Sequence, residues 1–208
     1  FYLACLREVA RDHGCRIHAY VLLPNHVHLL GTPRTRNGFT GMMQTMRDRY
    51  AQHVKKTYPR VIAPLAGLHQ ASGVQPDRTV LEVYRYIELH PVRSGLAPHP
   101  ANYRWSSHAR HALGVNDELI TEHEQYRALS VSPTERFQAY RELLRQPLDP
   151  RVVDAIRQAT AMEGVLGDES FVRQIEMAVK RRMVLPLRVA QPAPSVGADE
   201  QPVRKVAK

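Results

Sequence analysis

Leu23-Pro24-Asn25-His26-Val27-His28-Leu29-Leu30 is the stretch on which the fold turns. Pro24-Asn25 is a turn signal set between two apolar runs, Arg16 to Leu23 and His26 to Leu30. The runs read as the two strands of a hairpin. Along a strand, side chains two residues apart point to the same face. His26 and His28 therefore present two imidazoles side by side, a pair suited to one divalent metal ion. The chain holds 11 histidines in 208 residues, so a His-x-His arises readily by chance and gains meaning only from its surroundings.

Outward from the hairpin, helical patterns lie on both sides. Residues 1–13 read as a helix with Leu3, Leu6, Val9 and Ala10 on one side and Gly14 as its C-cap. Gly31 to Gly38 reads as a loop. Phe39 to Tyr58 reads as a second helix, because Phe39, Met43, Met46, Tyr50 and Val54 recur at steps of three and four. Pro59, Pro64, Gly67, Gly73 and Pro76 break regular structure over 59–76. Asp77 is a natural N-cap for a helix that runs to His90 and stops at Pro91. Residues 92–131 read as loop-rich. Ser132-Pro133-Thr134-Glu135 has the form of a capping box, and helices are expected at 133–146, 151–163 and 168–182. From about residue 185 the prolines and scattered charge predict disorder.

The helix after Asp77 carries the second chemical signal. At 100° per residue, Val80, Val83, Tyr84 and Ile87 fall in a narrow arc that predicts the buried face. Tyr86 and His90, four residues apart, stack at the edge of that arc. His90 is a candidate third ligand beside His26 and His28. Tyr86 is a candidate nucleophile, and Tyr84 points into the core. A phenol is a poor nucleophile near neutral pH because its pKa is about 10. A divalent ion on the scissile phosphate offsets the charge that develops as the phenol attacks. Together the two segments point to metal-assisted attack by a tyrosine on a phosphodiester.

The charge agrees with a polyanionic partner. The formal net charge is +9, from 29 Lys and Arg against 20 Asp and Glu. Residues 180–208 alone hold seven Lys or Arg against two acidic residues. Nucleic acid is the leading partner for such a balance. Arg34, Arg36, Arg47, Arg49, Arg93 and Arg104 are the candidate phosphate contacts. Two cysteines, Cys5 and Cys15, make no disulfide framework and fit a reducing cytoplasm. No apolar run approaches a membrane span, and no secretory signal opens the chain. Walker-type loops, paired-cysteine zinc motifs and Gly-x-Ser-x-Gly elbows are absent.

Four segments, in order, resemble one family. Pro24 to Leu30 resembles the HUH motif (His, a hydrophobic residue, His) of single-strand DNA transposases. Tyr86-Ile87-Glu88-Leu89-His90-Pro91-Val92-Arg93-Ser94-Gly95-Leu96 resembles the tyrosine-helix signature of the REP-associated tyrosine transposases. Tyr103-Arg104-Trp105-Ser106-Ser107 is similar to the segment that follows it there, and Leu166 to Phe171 resembles their C-terminal helical part. The resemblance implies an α+β fold: a ferredoxin-like antiparallel sheet with helices (the HUH endonuclease fold), then a helical region and a disordered tail. It divides the chain into a catalytic domain at 1–115, a helical region at 116–184 and a basic tail at 185–208. It implies cleavage and rejoining of single-stranded DNA next to hairpins through a phosphotyrosine intermediate. Tyr86 is then the nucleophile, and His26 and His28 are ligands to Mg²⁺ or Mn²⁺. The resemblance further implies a monomer or homodimer in the bacterial cytoplasm, at the nucleoid.

The sequence departs from the family at three places. An amide usually stands where this chain has His90, and three imidazoles favour manganese or zinc over magnesium. Family members usually begin with a strand before the first helix, and the sequence starts inside that helix. They also usually carry a basic, aromatic strand before the tyrosine helix, and nothing in 61–76 matches it. Two other readings therefore stand beside the transposase: a hairpin-DNA-binding remnant that no longer cuts, and a metal-dependent phosphodiesterase that uses water.

Overall fold

The computed structural model describes residues 1–59 and 69–179. The expected disordered tail lies outside them, as do residues 60–68 of the stretch 59–76 read as broken. Among the described residues the architecture is mixed α/β and is built around one antiparallel hairpin. Strand β1 (Cys15–Leu22) pairs with β2 (Val27–Pro33), with Leu22 opposite Val27 and Val21 opposite His28. The Leu23 N–H donates to the His26 carbonyl at 2.9 Å, which closes the Pro24-Asn25 turn.

A bulge shapes this hairpin. Ile17 pairs with Gly31 and Ala19 pairs with Leu30, which leaves His18 as an extra residue. A bulge shifts the two-residue side-chain alternation by one. Below it, Cys15 and Ile17 face one core cluster; above it, Tyr20 and Leu22 face that same cluster. Ala19, Val21 and Leu23 face the other. The strand is buried on both faces, so its apolar run is nearly continuous.

Helix α1 (Tyr2–Asp12) and helix α2 (Gly38–Thr57) cover the first face through Cys5, Leu6, Val9, Met42 and Met46. Gly14 follows α1 at φ +63°, the left-handed conformation that ends a helix cheaply in glycine. Helix α3 (Thr79–Glu88) covers the second face with Val80, Val83, Tyr84 and Ile87, the arc read from the sequence. The Asp77 carboxylate accepts from the Thr79 N–H at 2.7 Å and so caps its first turn.

Several boundaries differ from expectation. The tyrosine helix does not run to His90 and stop. It breaks at Leu89 and restarts as a one-turn helix α4 (His90–Arg93), with Pro91 inside the first turn, where its missing N–H costs no helical bond. The stretch 92–131 is more ordered than predicted. It holds a 3₁₀ turn (Pro100–Asn102), α5 (His108–Leu113) and α6 (Glu124–Arg127). Helix α7 (Pro133–Arg145) starts where expected, but the capping box does not form. Ser130 instead donates to Glu135 at 2.7 Å and accepts from the Ser132 N–H.

Helix α8 (Pro150–Ala161) and helix α9 (Glu169–Val179) complete the helical set. Between them β4 (Val165–Leu166) pairs in parallel with β3 (Gly73–Val74), a short strand inside the stretch read as broken. Gln75 ties the two ends by bonding both the Asp168 carboxylate and its N–H, while Asp168 caps α9 through the Phe171 N–H. Tyr126, Tyr140, Val152, Ile156 and Leu166 pack into the same cluster as α3 and the second face of β1.

The expected ferredoxin-like sheet does not form among the described residues: β1 and β2 make one two-stranded antiparallel sheet, and β3 and β4 a separate parallel pair. The free edge of β1 is not bare. Leu22 N–H donates to Trp105 carbonyl at 2.8 Å, Ser107 N–H to Tyr20 carbonyl at 3.0 Å and Thr121 N–H to Ile17 carbonyl at 2.7 Å. Irregular segments thus occupy an edge that would otherwise invite pairing.

Candidate metal and tyrosine site

The hairpin and the tyrosine helix meet at one point. His28 stands opposite Val21, on the face that packs against α3. His26 ends the turn two residues earlier, and His90 begins α4. The ring centroids of His26, His28 and His90 are 4.9, 5.2 and 4.8 Å apart. Their donor nitrogens all lie within 4.8 Å of one another.

The residues fit a cation. His28 Nε2 and His90 Nδ1 are buried with no hydrogen-bond partner among the described residues. An orphaned buried nitrogen is costly unless something binds it. The His26 Nδ1–H donates to the Asn25 side-chain oxygen at 2.7 Å, which leaves its Nε2 free. Such an outer bond fixes tautomer and ring direction in a ligating histidine. Three imidazole nitrogens at about 2.1 Å from one ion put the ring centroids about 5 Å apart, close to the spacing seen. Burial lowers His28 to about 4, with His26 and Arg93 adding to the shift. Burial likewise lowers His90 to about 3, with His28 and Arg93 contributing. Both rings are therefore neutral at pH 7, the state that ligates a metal.

Tyr86 adjoins this triangle. Its ring centroid is 5.6 Å from His28 and 5.7 Å from His90. Tyr86, read from the sequence at the edge of the buried arc, is only 5 % exposed. Arg93 covers it, with the guanidinium carbon 4.3 Å from the ring centroid. Burial lowers the Arg93 pKa, opposed by its attraction to Tyr86. Tyr84 is fully buried, as the helical wheel predicts.

The six arginines separate by place. Arg93 lies on the Tyr86 ring, and Arg104 is on the segment that pairs with the hairpin end of β1. Arg34 follows β2 at the end away from His28, and Arg36 lies in the same loop. Arg47 lies 3.7 Å from Asp48, and Arg49 bonds Glu8 at 3.2 Å. The structure thus brings Tyr86, the three histidines and Arg93 together, with Arg34, Arg36, Arg47 and Arg49 on other elements. Arg157 of α8, which sequence reading passed over, is close enough to act on both His90 and Arg93.

Sequence reading also missed Glu88. This carboxylate lies two residues from both Tyr86 and His90 and is fully buried. Its Oε1 accepts from Ser107 and from His111 Nδ1, each at 2.6 Å. Its Oε2 accepts from Tyr140 at 2.9 Å and lies 3.6 Å from His108. Desolvation raises the Glu88 pKa, but the two histidines and their bonds outweigh it and hold the group down to about 2. Ser107 also accepts from the Tyr20 N–H at 3.0 Å, so one hydroxyl joins β1 to α3. This is no Ser-His-acid triad, because serine and histidine bond the same carboxylate oxygen rather than each other. A glutamate next to the apolar residues of an amphipathic helix was the one available signal.

Comparison with known families adds a finding of its own. Residues 1–72 match the family described as IS200-like transposases. The match covers 72 of the 208 residues. The matched span holds His26 and His28 and ends before the tyrosine helix. No curated protein and no solved structure matches the chain. No helix among the described residues is long and apolar enough to cross a membrane.

Proposed function

We propose that the protein cleaves and rejoins single-stranded DNA beside hairpins, with Tyr86 as nucleophile and His26, His28 and His90 as metal ligands. The observation that carries this reading is the packing of Tyr86 against His28 and His90, two neutral imidazoles with orphaned nitrogens. A divalent ion held there supplies Lewis-acid polarisation of a phosphate. The all-imidazole donor set favours manganese or zinc over magnesium.

The protein's own groups do the rest. The Tyr86 oxygen forms a bond to phosphorus, and the bond from phosphorus to the departing strand breaks. The phenol gives up its proton, and the departing oxygen takes one as it becomes a hydroxyl. Arg93, whose guanidinium lies over the Tyr86 ring, favours the phenolate as it forms. Its side chain must swing off the ring before a phosphate can approach. Rejoining reverses the same steps on a new strand end. Arg93 and Arg104 contact the DNA backbone. Acting as a monomer or homodimer at the bacterial nucleoid, the protein thereby moves a DNA element.

The buried ring under Arg93 favours a second reading, a hairpin-binding protein that no longer cuts. A nicking assay on an end-labelled single-stranded hairpin with Mn²⁺ separates them. A shifted protein–DNA band on a denaturing gel, lost in Tyr86→Phe and on chelation, is the expected result. Hairpin binding without an adduct identifies the non-cutting binder. Cleavage that survives Tyr86→Phe identifies hydrolysis by water.

A further inference from the structure

Trp105 is the sole tryptophan of the chain and is 44 % exposed. Its neighbours are the opposite: Ser106 and Ser107 are 4 % and 0 % exposed. The backbone around it is fixed. Its carbonyl accepts from the Leu22 N–H at 2.8 Å, Ser106 bridges Val21, and the Tyr103 hydroxyl donates to the Leu22 carbonyl at 2.7 Å. A large aromatic ring is thus held out to solvent on a rigid mount.

Its position is set by the sheet. The 105–106 segment lies along one side of β1, and β2 lies along the other. Leu22, which Trp105 bonds, pairs with Val27, and His26 and His28 flank Val27. Two strand spacings put the Trp105 backbone about 10 Å from the histidine turn. Among the described residues, Arg104 is the ring's one partner, with its guanidinium carbon 4.3 Å from the centroid. No acidic group among them pairs with Arg104. An exposed ring beside an unpaired guanidinium matches both parts of a nucleotide, the base by its π-face and the phosphate by charge.

We infer that Trp105 and Arg104 form a stacking platform for an unpaired base of a single DNA strand running to the histidine turn. The inference rests on the proposed single-strand DNA reading and adds the element that grips the strand. Arg104 swings from the ring to a phosphate as the base takes its place.

The full-length protein carries its own probe. A labelled hairpin with a single-stranded flank is titrated in while its anisotropy and the tryptophan emission are read together. The expected result is quenching that tracks the rise in anisotropy, and no quenching with blunt duplex. Trp105→Ala is expected to weaken binding roughly 5- to 100-fold, with most affinity restored in Trp105→Phe. Rising anisotropy with unchanged emission overturns the platform and leaves the DNA reading standing. No rise in anisotropy overturns both. The wild-type emission does not depend on how well any variant folds.

Discussion

His18 shows how closely a single residue can be constrained. Its Nδ1 lies 2.6 Å from the Thr121 carbonyl, which can only accept, so the proton sits on Nδ1. Nε2 then accepts from the Thr32 hydroxyl at 2.9 Å. The neutral ring is satisfied on both sides, and a second proton would place a charge in a buried site. Burial lowers the His18 pKa to about 4, opposed by the Thr121 bond and aided by His123. Unfolded histidine titrates near 6.5. Between those values the unfolded chain binds more protons than the folded one, so stability rises with pH through the window. It is present above pH 6.5 and lost as pH falls towards 4. Denaturant midpoints measured from pH 7 to pH 4 are expected to drop through this range, and His18→Gln to flatten the slope. An equal slope in the variant would place the effect on other groups.

Helix α3 joins the buried face read by periodicity to a polar anchor that periodicity cannot show. Glu88 receives three hydrogen bonds, from Ser107 and His111 at α5 and from Tyr140 on α7. Removing one partner of a buried charge network strands the others, which costs about 3–5 kcal/mol. Glu88→Ala is expected to lower unfolding free energy by that amount. Tyr140→Phe, which takes away one donor, is expected to cost about 1 kcal/mol. Denaturant titration of the two variants checks the ratio, and equal losses would show that the carboxylate is not the hub. The contrast marks what was legible. Val80, Val83, Tyr84 and Ile87 announced their face because helical spacing is local. The partners of Glu88 come from 19, 23 and 52 residues away, and no local pattern encodes them. The histidine pair was legible for the same local reason, whereas the cover of Arg93 on Tyr86 depends on the break at Leu89. The His18 bulge was hidden because both faces of β1 are apolar, and alternation then leaves no trace.

At the scale of the molecule, the two core clusters meet across β1. The cluster under α3 draws Tyr126, Tyr140, Val152, Ile156 and Leu166 from beyond residue 115. A fragment ending at 115 would bare Tyr84, which is 0 % exposed, and leave Glu88 without Tyr140. Such a fragment is expected to lose cooperative thermal unfolding. A sharp transition in 1–115 would instead show that the hairpin and α3 stand alone. The dependence also bears on the family match, whose span ends at residue 72. The histidines lie inside that span, but the groups that hold His90 and Tyr86 against them lie outside it.

The bulge has a consequence for chain length. His18 has no opposite number on β2, so it is an insertion already accommodated. Taking it out would leave Ile17 followed directly by Ala19, each still on the face it now occupies. The strand would become regular rather than inverted, and the pairing that carries His28 would stay in phase. Elsewhere in the hairpin, a one-residue gap would turn every later side chain over. At this position it would remove the bonds of His18 to Thr32 and Thr121 and its ring contact with His123. The hairpin thus has one place where its length can change while its histidines keep their aim.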